Sequence, residues 1–542
     1  MSTPLEEYPR PQMKRDSYLN LNGPWKCNIF NKNNNTVYTG NINVPYSPET
    51  VLSNVCVNVF PTDVLTYEKD VEIPANFNKG KILLNFGAVD QICYVYINDK
   101  LVYTHFGGYT PFSCDITNFI KDNKANIKLK VYDLTDKLEL SRGKQSLKPG
   151  GINYTAQSGI WQTVWMESVP DTYIEFVKIT PDVDNKSFLI KVKSNEYMPC
   201  EVYFQGKKYN ITTNEVVRIP IDNPIFWDID NPYLYDVKVK CGDDEVSTYF
   251  GYRKITIKNV NGKRLVFLNN RRLFMKGILE QGYYKDGLYT PDSYQTVEDD
   301  IKLIKELGFN TIRKHIKIEP AMYYYLCDKY GMLVIQDMVN GGGLYNKLVI
   351  GAPLFANIKL KDTHHNLFSR RNELAKKVFE YEIKESIKNL YNNPSIIMWT
   401  VFNEGWGQFD SKHYYELVQK LDQTRLIDMA SGWYDQGLGD IKSHHVYFKP
   451  YKHKWDDRAV MLSEFGGYSL GSSKFTYKNL TKEEEYLKEL KRLLKRDIKP
   501  YIDEGLNGYV YTQYNDIEDE CNGLVDTDRK LKVKELSKIF KK

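Results

Sequence analysis

The sequence predicts a multidomain chain: a jelly-roll-like β-sandwich, an immunoglobulin-like β-sandwich and a catalytic (β/α)8 TIM barrel. Three observations carry the prediction. The 542 residues exceed what one core holds, since single cores seldom grow beyond about 250–300 residues. Apolar residues recur with period two before Asn259 and with helical period after it. In that later part, short apolar runs alternate with amphipathic helices, the pattern of a parallel barrel. The domains are expected at residues 1–171, 172–258 and 259–542.

The first sandwich is read from alternating runs such as Lys81–Phe86, Ile92–Ile97 and Ile127–Tyr132. Turn residues at Asn98-Asp99, Gly107-Gly108 and Asp122-Asn123 separate them. The second sandwich follows from Phe188–Val192, Glu201–Phe204 and Tyr235–Lys240, punctuated by Asn223-Pro224 and Asn231-Pro232. In the barrel, Val297, Ile301, Ile304 and Leu307 share a helical face that Gly308 ends. Thr481 and Glu484 have the spacing of a capping box, followed by a stripe of Leu487, Leu490 and Leu494. That stripe reads as an outer barrel helix rather than a partner-binding face. Eight runs read as strands: Leu273–Gly277, Asn310–His315, Leu333–Asp337, Ile396–Asn403, Leu426–Ala430, Ser443–Tyr447, Val460–Glu464 and Gly508–Gln513.

Two of these runs end on a carboxylate. Ser395 to Phe402 is nearly unbroken in apolar and β-branched residues; Asn403-Glu404 then breaks it, and Gly405 and Gly407 turn the chain. Ala459 to Gly467 repeats the design around Glu464. A carboxylate at the C-terminal end of a buried strand is costly as decoration, and in a barrel that end carries the chemistry. Alone, Glu404 could cap a loop or pair with an arginine. Two glutamates on strands four and seven face each other across the mouth, as glycosidic bond cleavage requires. One carboxyl protonates the leaving oxygen while the other attacks the anomeric carbon.

Bulk composition excludes other classes. Lys+Arg 74 against Asp+Glu 69 leaves a net charge of +5 with no basic arm, so nucleic acid is not implied. The 42 Tyr and 8 Trp suit a sugar-binding protein, although coding bias would give the same count. Eight scattered cysteines without a CxxC pair read as small buried hydrophobes in a reducing compartment. No secretory leader and no membrane-spanning run is visible, so a cytoplasmic, soluble protein is expected. Its partner would be an oligosaccharide or glycoside, with no nucleic acid and no membrane; assembly into a homo-oligomer is left open. Adjacent residues on a strand point to opposite faces, so His444-His445 and His364-His365 do not read as metal sites. Two carboxylates suffice for the chemistry, and neither a metal nor an organic cofactor is expected.

Together these segments resemble glycoside hydrolase family two, the family of β-galactosidases and β-glucuronidases. In the first domain the resemblance rests on Phe86–Asp90, Val95–Asn98, Gly107–Ser113 and Gly159–Trp165, and in the second on Asn231–Tyr235 and Phe250–Lys254. In the barrel it rests on Asn403-Glu404 and on Glu464-Phe465-Gly466. The resemblance implies a retaining exo-β-glycosidase with Glu404 as acid/base and Glu464 as nucleophile. It also implies that Asn403 binds the sugar 2-hydroxyl, Arg313 keeps the nucleophile ionised, Tyr447 hydrogen-bonds it, and His315 contacts sugar. His315 could equally be a hydrogen-bonded histidine at a strand end. Trp406 and Trp433 are the expected sugar-facing rings.

Departures from the family pattern bear on the substrate. The segment Glu520–Lys530 lacks the Asn-x-Lys by which β-glucuronidases grip a carboxylate, and Met338–Gly343 lacks the magnesium-ligand pattern of the large β-galactosidases. A neutral, β-galactoside-like glycone is therefore expected. β-Glucuronide, β-mannoside and α-L-arabinopyranoside remain open, as does a carbohydrate-binding protein without activity, which a lost carboxylate would have marked.

Overall fold

The structure, a computed structural model, describes residues 3–354, 358–471 and 473–541. In the first sandwich a six-stranded sheet packs on a four-stranded one. The period-two pattern becomes its core: along Gly23–Phe30 the residues Trp25, Cys27 and Ile29 point inward, and along Lys124–Tyr132 so do Ala125, Ile127, Leu129 and Val131. Each fully buried aliphatic or aromatic side chain contributes roughly 1.5–3 kcal/mol. The second sandwich packs three strands, Ile174–Asp182, Ser187–Ser194 and Val216–Pro220, on four between Pro199 and Gly251.

The second sandwich corrects the reading of the cysteines. Glu201 pairs with Lys240 across neighbouring antiparallel strands, which sets Cys200 opposite Cys241, and the two form a disulfide with Cα atoms 4.4 Å apart. Such bridges persist in oxidising compartments, so the cysteines no longer support a reducing one. Cys27, Cys93, Cys114 and Cys327 are buried thiols, as expected, whereas Cys56 is exposed.

A hairpin of Ile255–Val260 and Lys263–Leu268 leads into the barrel. Its Ile255, Val266 and Leu268 cover the barrel floor of Met275, Leu333, Ile335, Met398 and Met461. Asn259 lies inside this hairpin, so the change of period comes later than the sequence suggests.

The barrel strands are β1 (Met275–Glu280), β2 (Thr311–Lys314), β3 (Leu333–Asp337), β4 (Ile396–Asn403), β5 (Leu426–Ser431), β6 (Ile441–Val446), β7 (Ala459–Gly466) and β8 (Leu506–Thr512). Each overlaps its run read from sequence, though most bounds shift by a residue or two and β1 starts two residues later and ends three residues later. Their ladder runs β5-β4-β3-β2-β1-β8-β7-β6 with parallel neighbours, which leaves β5 and β6 as the one seam without a ladder among the described residues. Side chains bridge it: Ser443 Oγ donates to Asp428 Oδ1 at 2.8 Å, and Ser431 Oγ lies 3.1 Å from His445 Nε2.

The helix at Tyr294–Leu307 starts on Ser293, whose hydroxyl accepts from the Thr296 amide, and stops at Gly308 with φ +105°. The expected capping box at Thr481 does not form. The helix begins at Glu483 with Lys482 as its N-cap and no side-chain cap; Glu483, Glu484 and Glu485 in its first turn suit the helix dipole instead. Leu490 is buried there, while Leu487 and Leu494 are partly buried.

One segment of the first sandwich reaches the barrel mouth. The Arg142 amide donates to Asn340 O at 2.9 Å, and its guanidinium holds the carbonyls of Gly342 and Gly343. The ammonium of Lys144 lies 3.8 Å from Glu520 Oε2.

Candidate active site

Strand ends place the charged residues. Arg313 ends β2 and is fully buried. Nε donates to Asp337 Oδ1 at 3.0 Å, Nη1 to Glu464 Oε1 at 3.0 Å and Nη2 to Asn403 Oδ1 at 2.9 Å. One guanidinium therefore ties together the ends of β2, β3, β4 and β7. Burial pushes the Glu464 carboxyl up, but His445, the Arg313 guanidinium, His315 and the Tyr447 hydroxyl around it outweigh it and hold it below the usual carboxylate range. Tyr447 donates its hydroxyl to Glu464 Oε2. A buried carboxylate with these partners is ionised and oriented.

His315 is buried, with Nδ1 2.9 Å from Asp337 Oδ2 and 3.9 Å from Glu464 Oε1. Burial lowers its pKa against the opposing pull of Asp337. Lys314, between Arg313 and His315, points the other way and pairs with Glu280 and Glu319. Asn403 gives its side-chain oxygen to Arg313, and among the described residues its amide nitrogen has no partner.

Glu404 sits just past β4 with φ +51°, in the left-handed region. There a non-glycine residue costs roughly 1–2 kcal/mol. Its amide donates to Ser431 O at 2.9 Å and the Trp406 amide to Asn403 O at 2.9 Å, which fixes the turn. Gly407 is required because a Cβ there would meet Gly341 O at 1.9 Å. His445 binds Glu404 directly, with Nδ1 2.7 Å from Oε1. Sequence reading weighed His445 only as a metal ligand. Its role was legible in the β6 alternation, which buries Ile441, Ser443 and His445 and leaves Lys442, His444 and Val446 on the other face.

The expected aromatic residues divide. Trp406 is buried, packs on Tyr345 with ring centroids 5.5 Å apart, and lies 5.9 Å beneath the Lys144 ammonium. Trp433 is partly buried beside Phe368 and Tyr434, with its ring 6.2 Å from that of His445. Tyr477, which sequence reading missed, stacks on Tyr447 from the loop after β7. Lys144, missed too, has an ammonium with no hydrogen bond among the described residues and only Glu520 as counter-charge.

One ligand atom each from Glu404, His445 and Glu464 lie within 4.8 Å of one another. This trio is the metal-type cluster among the described residues, yet Arg313 Nη1 lies 3.0 Å from Glu464 and 3.3 Å from His445 Nε2. A cation there would face a fixed positive charge. His365 is engaged elsewhere, with Asp410 at 2.9 Å. No helix among the described residues is long and apolar enough to cross a membrane.

Three models of glycosyl hydrolases family 2 match consecutive segments: the sugar binding domain over residues 20–170, a central domain over 172–253 and the TIM barrel domain over 259–503. A β-galactosidase of Thermoanaerobacter pseudethanolicus is 27% identical over 389 residues, 66% of this chain and 47% of its own length. A β-glucuronidase of Streptococcus agalactiae is 24% identical, covering 88% of this chain and 87% of its own. The chain spans about half the length of the first curated relatives it matches. Among solved structures, a β-galacturonidase from Eisenbergiella tayi bound to galacturonate superposes with a TM-score of 0.77 at 19% identity, over 98% of this chain and 99% of that one. A β-glucuronidase from Ruminococcus gnavus superposes with a TM-score of 0.77 at 17% identity, over 100% and 99%. At such identity the likeness is one of fold.

Proposed function

The chain belongs to glycosyl hydrolases family 2, and on that premise we propose that it is a retaining exo-β-glycosidase acting on terminal β-linked neutral sugars of the galactoside type. The observation that carries the mechanism is that a carboxylate oxygen of Glu404 lies within 4.8 Å of one of Glu464. Retaining enzymes hold their carboxyls about 5–5.5 Å apart, and inverting ones about 6.5–9.5 Å to admit a water. Glu464 attacks the anomeric carbon as Glu404 gives its proton to the glycosidic oxygen, and the aglycone leaves as the alcohol. Glu404, now ionised, takes a proton from water, whose oxygen displaces Glu464 and restores the β-configuration. Asn403 offers its amide to the 2-hydroxyl.

A neutral glycone is supported by the charges past β8. Arg529 is paired with Asp300 at 3.1 Å and Lys532 with Asp516 at 2.7 Å, so neither is a spare cation for a sugar carboxylate. A second reading, a uronide, is supported by Lys144, buried at the mouth with an ammonium that has no hydrogen bond among the described residues. Glu520 already offsets that charge, which keeps the neutral reading first. A panel of p-nitrophenyl glycosides decides between them. The galactoside, or another neutral glycoside, should be the best substrate; faster cleavage of the glucuronide or galacturonide would establish the uronide.

A further inference from the structure

We propose that His445 is a positioning residue: its Nδ1–H holds Oε1 of Glu404, so that Oε2 carries the proton given to the leaving group. The inference rests on the roles assigned above to Glu404 and Glu464.

Geometry fixes the tautomer. His445 Nδ1 lies 2.7 Å from Glu404 Oε1, and Nε2 lies 3.3 Å from Arg313 Nη1 and 3.1 Å from Ser431 Oγ. Nη1 also serves Glu464 Oε1 at 3.0 Å and Ser463 O at 3.2 Å, but a guanidinium nitrogen only donates and a hydrogen on Nε2 would point at it, so Nε2 accepts and the imidazole hydrogen sits on Nδ1. The Ser431 hydroxyl also lies 3.0 Å from Ser463 Oγ, and its hydrogen rotates to serve Ser463 or Nε2. A second hydrogen on Nε2 would point at Arg313. Glu464 Oε1, the other charge facing this nitrogen, is 3.8 Å away and already bound by the same guanidinium.

The consequence is chemical. Oε1 of Glu404 is an acceptor, which leaves Oε2 for the acid proton. When that proton passes to the glycosidic oxygen and the C–O bond breaks, the Nδ1–H bond becomes charge-assisted and strengthens. His445 gains and loses no proton; it favours the ionised product of the step without competing for the transferred hydrogen.

The ring has little freedom to do otherwise. Its side chain is 0% exposed, and Gly432, with φ +85°, lies flat against it: a Cβ there would stand 2.7 Å from ring atoms Cγ and Nδ1. His445 also sits in the β5/β6 seam, where side chains stand in for a ladder.

The test compares His445→Ala with His445→Asn, whose amide can donate near the place of Nδ1. Aryl β-glycosides of the best glycone would range from the 2,4-dinitrophenyl to the phenyl leaving group. If His445 orients the acid, His445→Ala loses about 10²-fold in kcat/KM on the phenyl glycoside, the scale of general acid catalysis, and less than about tenfold on the dinitrophenyl one. His445→Asn recovers most of the phenyl rate. An equal loss for every leaving group, or an asparagine variant no better than alanine, overturns the proposal. The wild-type protein gives a reading that needs no variant to fold. Its imidazole nitrogen-15 spectrum should show His445 as the Nδ1–H tautomer, and an Nε2–H tautomer or an imidazolium at neutral pH overturns the proposal. A 2-deoxy-2-fluoro dinitrophenyl glycoside separates the two levels of inference: no adduct on wild-type Glu464 defeats the glycosidase roles, whereas the tautomer still decides the His445 bond.

Discussion

Tyr477 lies face to face on Tyr447, with ring centroids 3.9 Å apart and planes within 5°. Tyr447 in turn donates to Glu464, so a loop residue packs against the hydroxyl that meets the proposed nucleophile. Aromatic pairs contribute about 0.5–1.5 kcal/mol beyond area burial. Tyr477→Ala should therefore lower kcat by about 2–10-fold, with Tyr477→Phe near wild type. Steady-state kinetics on one aryl glycoside checks this.

Beside His445, Arg313 helps set the acid limb of the activity. Glu464 is held below the ordinary carboxylate range, so its active, ionised form is present above that lowered value and is lost as the pH falls through it. The acid limb of kcat/KM should lie below 4.5, the ordinary glutamate value. Arg313→Gln should move the limb upward and cost at least about 10²-fold in kcat, because it leaves a buried carboxylate without its cation. A pH–rate profile of both proteins gives the comparison.

The contact between the first sandwich and the barrel should weaken as the pH rises. Glu382 is 6% exposed and accepts from Ser141 of the sandwich segment. Burial pushes its carboxyl up to about 7, against the hydrogen bond of Ser141 and the charge of Arg370. It stays protonated in the folded state at pH values where the unfolded chain has ionised. Its stabilising contribution is thus full below 4.5 and is lost as the pH rises toward about 7, at up to about 1.4 kcal/mol per unit. Denaturant titrations from pH 5 to 8 should show a flatter slope for Glu382→Gln.

Much of this could be read from the chain, for identifiable reasons. The barrel strands alternate with helices, and a buried strand that ends in a carboxylate marks itself; hence β1 to β8, Glu404 and Glu464, while Arg313 and Tyr447 came only through the family resemblance. What escaped depends on how separate segments meet. Tyr477 lies in a loop with no periodicity, Lys144 arrives from another domain, and the Cys200–Cys241 pairing needs a strand register that spacing does not supply. Thr481 has the right spacing for a cap, yet the helix starts after Lys482, because three glutamates satisfy the first turn. His445 was accessible through alternation along β6, but its contact with Glu404 depends on the bend at Glu404 itself.

The disulfide should matter to stability and little to the site. It closes a separation of 41 residues, for which chain entropy gives about 4 kcal/mol. Cys200→Ala with Cys241→Ala should lower the melting temperature and leave kcat/KM within about twofold, since the pair lies in the second sandwich. Calorimetry beside kinetic assays checks both halves.

The central claim is the division of labour between Glu404 and Glu464, and the anomer of the azide product tests it most directly. Glu404→Ala removes the acid/base while the nucleophile still forms the glycosyl-enzyme from a good leaving group, so azide should displace Glu464 and give the β-glycosyl azide. Glu464→Ala removes the nucleophile, and azide entering from its vacated side should give the α-anomer. A β-azide from Glu464→Ala, or an α-azide from Glu404→Ala, would contradict the assignment.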